Sequence, residues 1–342
     1  ISAPAGFGKT TLAAEWVDSL RLNQQSDLAP KVAWFSLDEA DNDIRRFLTY
    51  FFTALAQLKI EDLDPKIGGT ALESLQSPNP VPIETIFAPL IRDLSTAAEK
   101  IIFVIDDYHL IEDLAIHKAV NFWLENVPPQ VHTVIITRED PPFPIARLRA
   151  RSHLAEIRAV DLRFTESEST QFLNEIMGLH LDAELVARLE GRTEGWIAGL
   201  QMAALSMRNR EDYAAFVENF SGTNRYILDY LLEEVLANQP PETQKFLLQT
   251  SILRRLSAPL CDAVLEQKNL SASLLDYLEQ ANLFLIPLDD ERSWYRYHHL
   301  FADLLKARLQ QTYRAEDLSA LHMRAARWYE DNAMAYGCLL YT

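Results

Sequence analysis

A chain of 342 residues, 48% of them hydrophobic, is long enough for two or three compact units with sizeable cores and too apolar to be a disordered chain. Its 32 Lys+Arg stand against 49 Asp+Glu, a formal net charge of −17, which speaks against a surface devoted to nucleic acid, because phosphate contacts require a basic face. There is no apolar run of membrane-span length, no secretory signal, and no spaced partner for Cys261 or Cys338, so a reducing, cytoplasmic setting without disulfides, zinc or membrane contact is expected.

The chain opens without methionine, inside what reads as a strand. Its end trails from Trp328 and Tyr329 into Gly337, Cys338, Leu339, Leu340 and Tyr341, the pattern of a fragment or truncated product. Ser2–Thr10 is rich in turn residues, and helical periodicity follows over Thr11–Leu22. Lys31–Leu37 reads as a buried strand and Asp43–Leu58 as an amphipathic helix. Asp62–Pro82 holds Gly68, Gly69, Pro78, Pro80 and Pro82 and reads as a surface excursion. A helix over Ile83–Ala98 leads to apolar strands at Ile101–Ile105 and Val131–Ile136, with Leu154–Ile157 as a further candidate. Strands alternating with helices predict a parallel sheet covered on both faces.

Beyond Thr165 strand patterns nearly vanish. Thr165-Glu-Ser-Glu168 fits a capping box that opens a helix, and helical texture runs to about Phe220. A second helical stretch follows Asn224 and ends in a hairpin pattern, Leu283–Leu288 and Trp294–Tyr297, the composition of a winged-helix unit. Helix resumes from Leu300 and from Ala315. The expected class is α/β followed by all-α, with a P-loop nucleotide-binding domain over 1–163, a helical domain over 164–222, a winged-helix domain over 223–312 and the start of a helical region over 313–342.

The segment Ala3-Pro-Ala-Gly6-Phe-Gly8-Lys9-Thr10-Thr11 meets the P-loop pattern Gly-x-x-x-x-Gly-Lys-Ser/Thr except at its first position, Ala3. In such a loop the backbone N–H groups of Ala5, Gly6, Phe7, Gly8, Lys9, Thr10 and Thr11 turn toward phosphate oxygens at a helix N-terminus. Lys9 would reach the β- and γ-phosphates, and the Thr10 hydroxyl would sit on Mg²⁺. Ile101–Ile105 followed by Asp106 and Asp107 fits the partner element, an apolar strand ending in acid. Asp106 would hold Mg²⁺ and Asp107 would orient the attacking water, so Lys9 and Asp107 are the candidate catalytic residues and Thr10 and Asp106 the metal ligands. The cofactors implied are ADP or ATP with Mg²⁺. Arg138 ends the next strand, where a guanidinium would reach the γ-phosphate or serve as a plain surface charge. The six arginines from Arg138 to Arg163 make the most basic stretch, read either as a solvated face lining an anionic pocket or as a DNA contact.

Several runs together resemble one family: the P-loop itself, Val104-Ile-Asp-Asp-Tyr-His109, Thr137-Arg-Glu-Asp-Pro-Pro142, Arg192-Thr-Glu-Gly-Trp-Ile-Ala-Gly-Leu-Gln201, Tyr226–Val235 and Tyr297-His-His-Leu-Phe301. The chain looks like the nucleotide-binding part of the large LuxR-type, MalT-like ATP-dependent regulators, which belong to the STAND class of signal-transduction ATPases. The likeness spans about Ile1 to Trp328.

The resemblance implies a switch in which ADP is clamped in a closed resting state. An inducer, sensed by a further domain, favours ATP, opening and self-association, and slow ATP hydrolysis resets the system. DNA would be met only through a C-terminal helix-turn-helix outside this chain. It also implies a nucleotide-facing histidine in the winged-helix unit, His298 in preference to His299, the alternative being that both are ordinary polar residues at a helix start. Near the adenine Ile197 stands where relatives carry proline, so Trp196 either substitutes there or is a core residue. The rival readings are a turnover ATPase motor of AAA type, which needs a polymer channel, and a small-molecule kinase, for which the long helical half makes a poor lid. The acidic balance carries one consequence for DNA: a salt titration of this chain against duplex DNA should show no sequence-selective complex, whereas a steep salt slope with sequence preference would place the 138–163 arginines or the winged helix on DNA.

Overall fold

A computed structural model of the chain describes residues 1–22, 30–58, 81–208, 210, 212–332 and 334. The expected excursion over Asp62–Pro82, apart from 81–82, and the tail from Gly337 lie outside the described residues. The chain divides into two compact units, residues 1–3 with 8–158 and residues 4–7 with 159–342.

The first unit is built on a parallel sheet ordered β1 (Lys31–Ser36), β2 (Ile101–Asp106), β3 (Val131–Ile135), with Lys31 opposite Ile101 and Ile101 opposite Val131. All six residues of β2 are buried. Because strand side chains alternate, Ile101, Phe103 and Ile105 enter one core and Ile102 and Val104 the other. The first core is closed by α2 (Ile44–Ala56), α3 (Ile83–Ser95) and α4 (Leu114–Asn126); the second contains Ala13 of α1 (Lys9–Leu22). A short α5 (Ile145–Ala150) follows β3.

The sequence of α2 explains both its start and its buried face. Asp43 caps it by accepting from the Arg46 amide at 2.8 Å. Phe47, Leu48, Phe51, Phe52 and Leu55 recur at helical spacing and are all buried. The Phe51 ring meets Phe103, Trp123 and Phe87 edge-on at 4.7, 5.3 and 5.5 Å.

The candidate strand at Leu154–Ile157 does not form. The segment supplies only backbone acceptance at Ile157, 2.9 Å from the Ser2 amide, and Ser2 makes single parallel bridges to Thr137 and Arg158. The chain turns at once into the tight helical turn Ala159–Leu162, and Arg158 is drawn into ion pairs with Asp140 and Glu156, which leaves no length for a ladder. The opening residues likewise join the sheet by a bridge at Ser2 rather than by a strand.

The second unit is helical. The capping box is present: the Thr165 amide donates to Glu168 Oε2 at 2.8 Å and the Glu168 amide to Thr165 Oγ1 at 3.3 Å, opening α6 (Glu166–Gln171). Then come α7 (Ala183–Thr193), α8 (Ile197–Met207), α9 (Tyr213–Asn219), α10 (Arg225–Leu231), α11 (Pro241–Thr250), α12 (Ala258–Leu265) and α13 (Ser271–Gln280). The predicted hairpin is present as antiparallel β4 (Leu285–Pro287) and β5 (Tyr295–Tyr297), with Leu285 opposite Tyr297. Asp289 closes its connection by accepting from the Ser293 and Trp294 amides at 2.7 and 3.1 Å. The last helices are α14 (His299–Thr312) and α15 (Ala315–Asp331). Helices followed by a hairpin and a helix give the winged-helix order that the sequence predicts. Gly222 shows how closely α14 is approached: a Cβ there would lie 1.8 Å from the Leu300 carbonyl oxygen. No described helix is long and apolar enough to cross a membrane.

Phe51 is 0% exposed and packs against Phe103 of the central strand and against Phe87 and Trp123 of two covering helices. Phe51→Ala should therefore cost about 3–5 kcal/mol of unfolding free energy, read as a lowered denaturant midpoint at unchanged slope. A cost within about 0.5 kcal/mol, the range of ordinary surface changes, would show that this core does not hold the sheet.

Candidate functional site

In the first unit the loop ends where α1 begins, at Lys9. Gly8 has φ 74, and so does Gly6 nearly, at φ 75; this left-handed backbone lets successive N–H groups point to one side and is strained for any residue with a Cβ. The first turn of α1 has no acidic residue of its own. Lys9 is 8% exposed and donates from Nζ to the Ala3 carbonyl at 2.8 Å. Burial, then the charge of Arg138, lowers its pKa to about 8 against the pull of Asp107 and Asp106. It is therefore a cation at neutral pH that an anion would stabilise further.

The end of β2 delivers the acids. Asp106 is buried, accepts from Thr10 Oγ1 at 3.3 Å and from the Asp107 amide at 2.9 Å, and is pushed above the usual carboxylate range by burial and by the neighbouring Asp107. Asp107 has φ 57 and ψ 38, a left-handed conformation that Asp tolerates better than most residues, and its side chain is 46% exposed. The structure thus brings Lys9, Thr10, Asp106 and Asp107 together. Thr11 is exposed on α1. Arg138 is close enough to depress the pKa values of both Lys9 and His109.

His109 carries no role in the sequence reading. Its Nδ1 lies 3.9 Å from Asp107 Oδ1, is buried and makes no hydrogen bond. Burial, then Arg138 and Lys9, lowers its pKa to about 4, so the ring is neutral. The signal was available in the run Asp106-Asp107-Tyr108-His109, where a short helical turn from Tyr108 to Leu110 folds the histidine back beside the acid.

The basic stretch resolves into pairs. Arg149 and Arg158 meet Glu156 at 2.6 and 2.7 Å, Arg158 also meets Asp140, and Arg147 meets Glu125. These three arginines balance carboxylates of their own unit, in line with a solvated ion-paired face.

In the second unit the loop tip, residues 4–7, packs on the turn between α7 and α8. The Trp196 indole N–H donates to the Ala5 carbonyl at 3.0 Å, and the Ala198 amide donates to the Gly6 carbonyl at 3.1 Å. A Cβ on Gly6 would stand 2.6 Å from that of Ala198. Phe7 packs on Phe284 at 6.3 Å. Trp196 is fully buried between Tyr230, Phe284 and His298, a core position that braces the loop.

His298 is 2% exposed and His299 has 59% of its side chain exposed. His298 Nε2 bonds the Thr193 carbonyl at 2.8 Å, and burial lowers the pKa of the ring to about 4. Beside it Glu194 accepts two bonds from Arg296, at 2.8 and 2.7 Å, and one from the His299 amide at 3.0 Å. This bidentate pair ties the α7 end to the hairpin and was not legible in the sequence.

The donors suit Mg²⁺. It requires hard oxygen ligands and keeps much of its coordination for phosphate and water, and Thr10 and Asp106 offer a hydroxyl and a carboxylate side by side. No group of three or more His, Cys, Asp or Glu side chains could hold a metal among the described residues, so these two residues would act with phosphate oxygens rather than as a protein cage.

Burial alone would raise the Glu194 carboxyl, but Arg296, with His298 and the His299 amide, brings it down to about 2. A depressed carboxylate stabilises the fold fully above its unfolded pKa of about 4.3 and loses that contribution as pH falls toward the folded value. Wild-type unfolding midpoints should fall between those two pH values. Glu194→Gln should be less stable at neutral pH and show a smaller fall, and parallel curves for the two proteins would refute the assignment.

Residues 232–317 match the family model of the MalT winged helix domain. The chain is 35% identical over 329 residues to the HTH-type transcriptional regulator MalT of Klebsiella pneumoniae, covering 95% of this chain and 35% of that protein. It is 31% identical over 332 residues to the serine/threonine-protein kinase PknK of Mycobacterium tuberculosis, covering 97% and 29%. It thus spans about a third of the length of the curated relatives it matches. Among solved structures, the Walker-type ATPase PABY2304 of Pyrococcus abyssi superposes with a TM-score of 0.59 at 13% identity, covering 89% of each chain, a likeness of fold alone. With its P-loop, its acid-ended central strand and its hairpin-bearing helical half, the chain is a MalT-like P-loop NTPase region with a MalT-type winged-helix domain.

Proposed function

We propose that this chain is the nucleotide-dependent switch of a signal-responsive transcriptional regulator, with an ADP-bound closed resting state, an ATP-bound self-associating state, and slow ATP hydrolysis as the reset. The observation that carries the reading is the meeting of Lys9, Thr10, Asp106 and Asp107 at the end of a fully buried strand. The relatives described as HTH-type transcriptional regulators support its regulatory half.

In this reading the loop amides and Lys9 bind the phosphates, and Thr10 and Asp106 would hold Mg²⁺, which would supply positive charge to the phosphates when bound. Asp107, half-exposed and set by its left-handed backbone, orients the attacking water, and the neutral His109 ring offers a second polar group beside it. Arg138 senses the γ-phosphate. Trp196 holds the loop tip through Ala5, and His298 supplies a phosphate contact in the resting state only. ADP then biases that state by its differential affinity. The inducer and the promoter are met through parts of the regulator outside this chain.

Denatured, purified protein should release about one adenine nucleotide per chain, as a P-loop with a metal-binding acid implies. Lys9→Ala should lose it. Wild type that carries no nucleotide and binds no added ADP would overturn the reading. Asp107→Asn keeps a residue that tolerates left-handed backbone, so it should slow ATP hydrolysis while leaving ADP binding largely intact. Wild-type turnover should lie well below the ~10 s⁻¹ median of enzymes; steady turnover above it without partners would favour a motor.

A further inference from the structure

Two successive carbonyls of the loop tip are answered from the start of α8. The Trp196 indole N–H donates to the Ala5 carbonyl at 3.0 Å, and the Ala198 amide donates to the Gly6 carbonyl at 3.1 Å. In a trans peptide the C=O and the N–H that follows it lie in one plane and point in opposite directions. No cis peptide occurs among the described residues. Fixing the Ala5 carbonyl therefore aims the Gly6 N–H away from the indole, and fixing the Gly6 carbonyl aims the Phe7 N–H away from α8. Neither of these two amides donates a hydrogen bond among the described residues.

The two donors are themselves held in place. Trp196 is 0% exposed, and the rings of Phe284 and Tyr230 stand 5.2 and 5.7 Å from its own, so its N–H has a fixed direction. Ala198 is the second residue of α8, and its amide is one of those that a helix N-terminus leaves without an intrahelical acceptor. A tryptophan that only filled the core would need one acceptor of any kind. Here the acceptor is a loop carbonyl 191 positions away, beside a glycine at φ 75 whose own carbonyl is bound as well. Two adjacent peptide planes are thus fixed, which ring packing alone does not require.

Successive N–H groups that face one side favour an anion, and amides already aimed leave no ordering to oppose its binding. We propose that Trp196 and Ala198 are positioning residues for phosphate binding: by holding two loop carbonyls they keep the Gly6 and Phe7 amides turned toward a phosphoryl group. This rests on the phosphate-binding reading of the loop and adds to it a tryptophan that acts through Ala5 rather than by touching the ligand. Linkage makes the effect reciprocal: a ligand that prefers the docked loop tip strengthens the Trp196–Ala5 bond by the factor that the bond strengthens the ligand.

Isothermal titration of the whole chain with ADP and with inorganic pyrophosphate tests it. Wild type is compared with protein carrying β-(3-benzothienyl)alanine at position 196, an isostere of tryptophan without the N–H. The substituted protein should bind both ligands about twofold to tenfold more weakly, as loss of one hydrogen bond does. At saturating pyrophosphate its Gly6 amide resonance should be displaced, while that of Phe7, whose plane Ala198 holds, stays near its wild-type position; a merely structural indole would not single out Gly6. Ala198→Pro, which removes the second donor in a first turn where proline is tolerated, should displace Phe7 instead. In wild type, exchange of the Trp196 indole proton should slow on adding either ligand by more than that of Trp123, which donates to Thr133 Oγ1 at 2.9 Å in the first unit. That readout stands if a substituted protein fails to fold. Weakened pyrophosphate binding in the substituted protein, with no ADP bound by either protein, would support the positioning role and sink the nucleotide reading. Equal affinities in the two proteins, or ligand binding that leaves Trp196 exchange unchanged, would overturn the positioning role and leave the nucleotide reading standing. A wild type that binds neither ligand would overturn both.

Discussion

Complete burial of β2 is the constraint on which the first unit depends. With every side chain from Ile101 to Asp106 enclosed, both faces of the sheet must be covered, and the helices on either side are placed accordingly. The strand's carboxyl end is then where the backbone leaves the core and polar side chains collect, as in open α/β sheets generally. Asp106 is the last residue of that strand. Its burial raises the cost of its charge, and the Thr10 hydroxyl and the Asp107 amide offset only part of it. A core built from aromatic rings around Phe51 makes the strand's position rigid, so the acids are presented at a fixed place.

In the second unit the turn from Thr193 to Trp196 has a comparable role. It holds His298 through the Thr193 carbonyl, Arg296 and the His299 amide through Glu194, and the loop tip through the Trp196 indole. Glu194 itself has φ 52, a conformation the bidentate pair with Arg296 helps to hold. A few residues therefore set the position of the hairpin-side histidine and of residues 4–7. Loss of any one of these bonds would alter the surroundings of the others.

The electrostatics of the two units differ in kind. In the first, Lys9 is a cation and Asp106 and Asp107 are acids whose charges restrain one another, a set that gains from an anionic ligand carrying its own cation. In the second, His298 is neutral because burial outweighs Glu194. The overall charge of −17 is reflected in neither place; both are locally poor in uncompensated negative charge apart from the Asp106–Asp107 pair.

Much of the architecture was legible because it is written in local patterns. Loop glycines before Lys9-Thr10, apolar runs of strand length, the Thr165–Glu168 capping box and the paired runs around Asp289 each depend on neighbours within a few residues. Their chemistry follows from spacing alone, and so the P-loop, the acid-ended strand and the hairpin could be named from the sequence. What remained open depended on residues far apart in the chain. Leu154–Ile157 has a strand's composition, but the bridge at Ser2 and the ion pairs of Arg158 decide that it forms none. Trp196 became a brace because Ala5, 191 positions away, offers its carbonyl. His298 and His299 are adjacent and alike in sequence; only packing against Thr193, Trp196 and Phe284 buries one and leaves the other in solvent. His109 gained a place by the same means, since burial, orphaned hydrogen-bonding atoms and the charges that shift a pKa are properties of the surroundings, which the chain acquires only on folding.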